Sequence, residues 1–302
     1  MENINTVLRK GFQTWTHNLN ICIPFFLNIF TGIFAMFVTF MVAVIIFVMP
    51  AMQDITTDPT NINPEMAFGV LTAAFYDNMG LFILLFITAF VVSTLISSYF
   101  YGGAIGMAKK ALEDGSTSIN EMFTSGKKNL INLFLTRFIV MLIILAGIIF
   151  MVPGILAIGD LSILIQNPEE ALSGTLILVF GIFVWIFYAI VVKLIFTFAE
   201  YALVVGGLEP LEALDEGFSF FMNNKLDTVV LWLILIGLSI LTGVAGEVLS
   251  SIEILSTFWS FADFVLSFAV IQPLTVLWWT RMYLSGKSTQ FYDIDDYLKF
   301  QR

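Results

Sequence analysis

The sequence predicts an all-α polytopic membrane bundle. Six transmembrane helices form three hairpin repeats, each preceded by a short amphipathic helix on the cytoplasmic side. Composition is the first observation behind this reading. Of 302 residues, 59% are hydrophobic and 12% charged, where a soluble domain carries about a quarter Asp, Glu, Lys and Arg. Mean hydropathy is +0.94. Folding buries at most roughly three quarters of a chain's surface, so no soluble core of this size hides so much apolar area. The second observation is length: six stretches each reach the roughly 20 apolar residues that a helix needs to cross hydrocarbon. The third is a short pattern that recurs ahead of the first, third and fifth stretches. The chain reads as one integral membrane domain, 1–302, with units of approximately 1–110, 111–207 and 208–302.

The same counts exclude other classes. A net charge of −10 speaks against a nucleic-acid partner, which needs a basic face. Cys22 is the single cysteine and His17 the single histidine, so neither an internal disulfide nor a histidine cluster is available. No H-E-x-x-H, phosphate-binding G-x-x-x-x-G-K-[ST] or cysteine pair occurs. The expectation is therefore no catalytic residue, no metal, no cofactor and no enzyme. Membrane lipids are the expected partners, with other membrane proteins possible; the oligomeric state is left open.

Along the chain, Ile4, Val7, Leu8, Gly11, Phe12 and Trp15 fall on one face of a helix. The first span follows over Leu19–Met49. It exceeds the 7–15 residues, roughly, of a signal-peptide core, so it is read as a retained helix. The second, Gly80–Ala108, carries Thr94, Ser98, Gly102 and Gly106 at four-residue intervals. Such a stripe lets another helix approach closely, internally by default and across a homodimer seam as the alternative. Ser118 and Glu121 form a capping-box pattern ahead of the third span, Ile131–Ile158. The fourth span, Thr175–Val205, contains Lys193 and Glu200. Leu211, Leu214, Phe218, Phe221 and Met222 then form an apolar stripe, with Glu209, Glu212, Asp215 and Glu216 off it. Thr228–Leu249 and Phe258–Leu284 complete the spans, with Trp278 and Trp279 placed to pack inside the last.

Orientation follows from Lys and Arg. The connections Pro50–Met79, Gly159–Gly174 and Ser250–Thr257 contain neither, and Asp54, Asp58, Glu65, Asp77, Asp160, Glu169, Glu170 and Glu253 lie there instead. Arg9, Lys10, Lys109, Lys110, Lys127, Lys128, Lys225, Lys287, Lys299 and Arg302 lie on the other side, with Arg137 and Arg281 at span ends facing it. By the positive-inside rule both termini are cytoplasmic in the cell membrane.

The recurring pattern is Phe followed six residues later by Asn: Phe12 and Asn18, Phe123 and Asn129, Phe218 and Asn224. Each pair sits at the cytoplasmic start of an odd-numbered span, which predicts a short helix, a turn near Asn, then an out-and-back pair of spans. The segments GGAIGMAKKALEDGSTSINEMFTSGKKNLINLF from Gly102 and LEPLEALDEGFSFFMNNKLDTVVLWLI from Leu208 carry a resemblance. The chain resembles a group of six-span prokaryotic membrane proteins. The group includes the membrane domain fused to some glycerophosphodiester phosphodiesterases and related archaeal stand-alone proteins. The resemblance implies fold and location, and no activity; the phosphodiesterase's catalytic domain has no counterpart here.

Intramembrane ionisable groups carry functional suspicion, because an unpaired charge in hydrocarbon costs several kcal/mol, roughly. Lys193 and Glu200 are seven residues apart. In one continuous helix they share a face, roughly 10 Å apart along the axis. They mark either a polar pathway or ligand contact, or two groups near the inner headgroups with Lys193 snorkelling. Arg137, Glu247 and Asp263 read as interfacial. The leading functional reading is a non-enzymatic membrane scaffold or partner- and lipid-organising module. The alternative is a transporter or channel for a small solute or lipid along the fourth span's polar face. Against the alternative, the repeats keep one orientation and no span shows an obvious break. An intramembrane lipid enzyme ranks last, for want of convergent acid, base or metal groups.

Overall fold

A computed structural model describes residues 1–50, 64–159, 172–289 and 291–292. Asp54, Asp58, Asp160, Glu169, Glu170, Lys299 and Arg302 lie outside the described residues. Helix α1 (Ile4–His17) starts where the Asn3 side chain accepts from the Asn5 N–H, and it stops at Asn18, whose φ of −132° leaves the helical region. A short 3₁₀ turn (Leu19–Cys22) leads into α2 (Ile23–Ala43), with Pro24 in its first turn, where a missing N–H is harmless. After α3 (Pro64–Asp77), α4 (Met79–Asp114) runs 36 residues and ends at Gly115, whose φ of +80° is a left-handed cap. Ser118 caps α5 (Ile119–Ala146), accepting from the Glu121 N–H at 3.4 Å. A 3₁₀ segment (Gly147–Met151) joins it to α6 (Val152–Ile158).

The remainder is α7 (Leu172–Ile195), α8 (Ala199–Gly206), α9 (Pro210–Asn223), α10 (Lys225–Ser250), α11 (Glu253–Leu266) and α12 (Gln272–Gly286). Six assemblies of these helices are long and apolar enough to cross a membrane: Leu19–Val48, Met79–Asp114, Ile119–Ile158, Leu172–Gly206, Lys225–Leu249 and Leu255–Gly286. The chain is a multi-pass helical membrane protein.

Three hairpins result: α2 with α4, α5–α6 with α7, and α10 with α11. They are tied together at one end, the end that holds both described chain termini. There α4, α5, α8, α9, α12 and α1 pack around Ile105, Met107, Met122, Leu133, Phe198, Leu203 and Leu277, each at most 1% exposed. Towards the far end Phe34, Met36, Phe86, Phe180, Phe187 and Leu241 are exposed, as a lipid-facing surface allows.

Glycine sets the closest approach. A Cβ on Gly126 would lie 2.6 Å from the Tyr99 carbonyl oxygen, and one on Gly103 2.7 Å from the Met122 oxygen. Ser125 Oγ accordingly reaches across to donate to the Gly102 oxygen at 2.9 Å. α1 is seated on α12 in the same manner. Gly11 leaves room for the Trp278 ring, whose Nε1 donates to the Leu8 oxygen at 3.1 Å. Arg281 on α12, 2% exposed, is held by both carboxylate oxygens of Glu2 at 2.6 and 2.7 Å.

The third span departs from expectation. No turn interrupts it at Asn129; α5 is continuous from Ile119 to Ala146. The reason is packing: Met122, Ser125, Gly126, Asn129 and Leu133 are all buried on the face against α4, so one contact face runs straight through the expected turn. The α9 stripe also divides. Leu214 and Phe221 are buried, whereas Leu211, Phe218 and Met222 are exposed.

Replacing Gly126 by Ala forces its Cβ against backbone and is expected to cost about 1–3 kcal/mol. Gly237, in α10 with nothing within 4 Å, should tolerate Ala with a gain up to ~1 kcal/mol from helix propensity. Unfolding of the two variants by SDS titration in mixed micelles measures the contrast; equal behaviour would contradict the close approach.

Candidate functional site

The fourth span is two helices. α7 ends at Ile195, Phe196–Phe198 form a turn, and α8 restarts at Ala199. No proline or glycine causes this break. Phe198, fully buried, is wedged among Phe220, Trp279 and Tyr283, with ring centroids 4.4, 5.3 and 6.3 Å away. Gly217 on α9 lets the chain turn there, since a Cβ on it would lie 2.5 Å from the Ala199 nitrogen. One uninterrupted helix through Lys193 and Glu200, as expected from the sequence, therefore gives way to two.

Both residues nonetheless line one cavity of about 640 Å³, half open, bounded by α4, α5, α7, α8, α10 and α12. α7 and α10 make little contact with one another, so the opening lies between the second and third hairpins. Glu200 is bound on both oxygens: Arg137 donates from Nε at 2.9 Å and from Nη2 at 2.8 Å. Arg137 Nη1 also donates to Ser97 Oγ at 2.9 Å, and its guanidinium lies 4.6 Å from the centroid of the Tyr101 ring. Tyr101 and Tyr201 hydroxyls are 3.5 Å apart beside it. Arg137, read from sequence as a span-end residue, is thus the partner that Glu200 binds.

Lys193 is exposed and has no ion-pair partner among the described residues. The indole N–H groups of Trp232 and Trp279, both lining the cavity, likewise have no acceptor among the described residues. Val140, Met141 and Ile144 extend the lining along α5. Ile144 lies seven residues past Arg137, about 10 Å farther towards the far end. One end of the cavity is charged and the other apolar. No grouping of three or more His, Cys, Asp or Glu that could hold a metal ion occurs among the described residues.

The other residues singled out from sequence sit elsewhere. Ser98, Gly102 and Gly106 are buried, Gly102 and Gly106 facing α5, while Thr94 is half-buried. Asn18, Asn129 and Asn224 each donate Nδ2 to the carbonyl four residues earlier, at 3.0, 2.9 and 2.9 Å. Asn18 also donates to the Gly115 oxygen and accepts from the Thr117 N–H, which ties the first unit to the connection before α5. Phe12, Phe123 and Phe218 are 47%, 47% and 39% exposed. His17 Nδ1 lies 2.9 Å from the Gln13 carbonyl, and Cys22 is a half-buried free thiol.

Removing one member of a buried ion pair strands the other, whereas removing both relieves the strain. Glu200→Ala is expected to cost about 3 kcal/mol and the double variant Glu200→Ala/Arg137→Met distinctly less. A double-variant cycle read by SDS unfolding checks the coupling; additive losses would refute it.

Comparison with known proteins follows the same outline. A protein of Archaeoglobus fulgidus described as uncharacterized is 26% identical over 293 residues, covering 94% of this chain and 95% of its own. No solved structure matches the chain. Residues 67–286, more than two thirds of the sequence, match the pattern of the family described as domain of unknown function DUF7847, and the chain belongs to that family.

Proposed function

We propose that this protein is a non-enzymatic membrane module that organises lipid, holding an amphiphile in the cavity between its second and third hairpins. The carrying observation is the cavity itself: about 640 Å³, half open, with Arg137, Glu200 and Lys193 at one end and Val140, Met141 and Ile144 at the other. Its volume lies within the roughly 300–1,000 Å³ of ligand sites. Polarity graded along the bilayer normal suits a molecule with a head and a tail. The exposed Phe12, Phe123 and Phe218 support immersion of the tied end in the headgroup region, as amphipathic helices do. The matched Asn hydrogen bonds support descent of the three hairpins from one repeated unit. Likeness to a membrane domain that accompanies a separate catalytic domain supports a scaffolding role.

The same reading puts the tied end on the cytoplasmic side, where Lys and Arg concentrate. Single cysteines at 9 and 253 in a Cys22→Ser background check this: impermeant maleimide should label 253 from outside intact cells and 9 only after lysis. The reverse pattern would overturn the orientation.

A second reading, transport of a small solute or lipid, draws support from the turn at Phe196–Phe198, because interrupted helices form the substrate sites of many transporters. One set of proteoliposomes separates the two. On the organising reading, lipid co-purifies with the wild type and is lost from Val140→Trp, which fills the cavity, while labelled lipid does not cross between leaflets faster than in protein-free vesicles. Protein-dependent crossing, abolished by Lys193→Met, would favour transport.

A further inference from the structure

We infer that the amphiphile carries an anionic headgroup of the phosphate class; this rests on the cavity reading above and adds the chemistry of its ligand. The argument is an imbalance of hydrogen-bonding groups. The cavity's one carboxylate, Glu200, has both oxygens on Arg137. The hydroxyls of Thr136 and Thr197 donate to the carbonyls of Asn132 and Lys193. The Tyr101 and Tyr201 hydroxyls share a hydrogen bond at 3.5 Å, and the lining side chains left with no hydrogen-bond partner among the described residues are all donors: the Lys193 ammonium and the indole N–H groups of Trp232 and Trp279.

Charge points the same way. Arg137 and Glu200 cancel, and Lys193 leaves one uncompensated positive charge on the lining. A cationic or donor-rich ligand would meet only more donors. A neutral apolar one would offer the exposed ammonium no counter-charge. A phosphodiester brings a single negative charge and several acceptor oxygens, and charge-assisted hydrogen bonds to such groups are the strong ones. The wall formed by Val140, Met141 and Ile144 then favours a phosphodiester with acyl or alkyl chains over free phosphate.

The preference is local to this cavity. In the neighbouring pocket of about 300 Å³, Lys109 is taken by the Val205 carbonyl at 3.0 Å and Lys287 by Glu216 at 2.6 Å. The groove between α10 and α11 is lined by Asp263 with Ser239, Thr242, Ser267 and Gln272, and brings a carboxylate rather than a cation.

The test uses the full chain in neutral maltoside. Phosphatidylglycerol, phosphatidylcholine of the same chains, and inorganic phosphate are the probes, read by native mass spectrometry and tryptophan-fluorescence melting. Phosphatidylglycerol should bind more tightly than phosphatidylcholine. Lys193→Met should weaken phosphatidylglycerol about ten-fold, the worth of one hydrogen bond to a charged group, and weaken phosphatidylcholine, whose choline offsets the charge of its phosphodiester, by less, while Lys193→Arg restores the preference. Equal binding of both lipids that ignores Lys193→Met, yet is still lost in Val140→Trp, would overturn the headgroup assignment and spare the cavity reading. Inorganic phosphate protecting as well as phosphatidylglycerol would overturn the lipid assignment in favour of the free ion. Lipid retained unchanged by Val140→Trp and by a second filling variant, Met141→Trp, would overturn both.

Discussion

The separation between α4 and α5 governs the tied end of the molecule. Gly102, Gly103 and Gly106 on one helix meet Met122, Ser125 and Gly126 on the other, and backbone lies almost on backbone. In an apolar solvent no hydrophobic force drives helices together, so dispersion contact and interhelical hydrogen bonds must do so, and both need small residues. Ser125 donating to the Gly102 oxygen is such a bond. The consequence is felt three turns along α5. Arg137 emerges eleven residues after Gly126, nearly on the same face, close enough to α4 for its guanidinium to reach Ser97 and cover Tyr101. A larger residue at 126 would move the arginine off its carboxylate as well as loosen the helices.

Two arginines at the tied end show one solution applied twice. Arg281 and Arg137 are each gripped by both oxygens of a glutamate distant in sequence, and each lies against an aromatic ring. Pairing of this kind does little more than offset the desolvation of its own charges. Its effect is on specificity: Glu2 fixes where α1 begins on α12, and Glu200 fixes which face α8 turns toward α5. Lysine serves differently. Lys109 satisfies the Val205 carbonyl near the end of α8, where the helix's last carbonyls have no internal partner. Lys193 has no such duty.

The spans were legible in the sequence because about twenty apolar residues form a coarse signal that survives errors of a few positions. The interior of the fourth span was not. Its break carries no Pro or Gly, and the residues around it find their partners across the fold: Phe198 among the rings of Phe220, Trp279 and Tyr283, and Gly217 against the Ala199 backbone. Gly217 was the available hint, a glycine inside an otherwise well-formed helical stripe, which signals close backbone approach. The role of Arg137 was hidden for a related reason. Starting the third span at Ile131 put the arginine near a boundary, but helical structure begins at Ile119, since burial against α4 overrides the turn tendency of Asn129. Lys193 and Glu200 could be picked out because charge in an apolar run is conspicuous; the partner of Glu200 could not, because pairing is a property of packing.

The turn in the fourth span and the cavity beside it explain one another. Non-helical backbone inside a membrane is tolerated only where protein buries it or where it borders a cavity, since lipid cannot satisfy a free N–H or C=O. Here both conditions hold. Phe198 and Ala199 are fully buried, while Phe196 and Thr197 line the cavity. Local bonds satisfy much of the remainder: Thr197 Oγ1 donates to the Lys193 carbonyl, and the Ala199 N–H donates to the Phe196 carbonyl. Phe198 packs in the aromatic cluster around Trp279, and α8 presents Glu200 to Arg137. The turn thus sets a satisfied ion pair and an ammonium with no ion-pair partner among the described residues on the lining of one cavity.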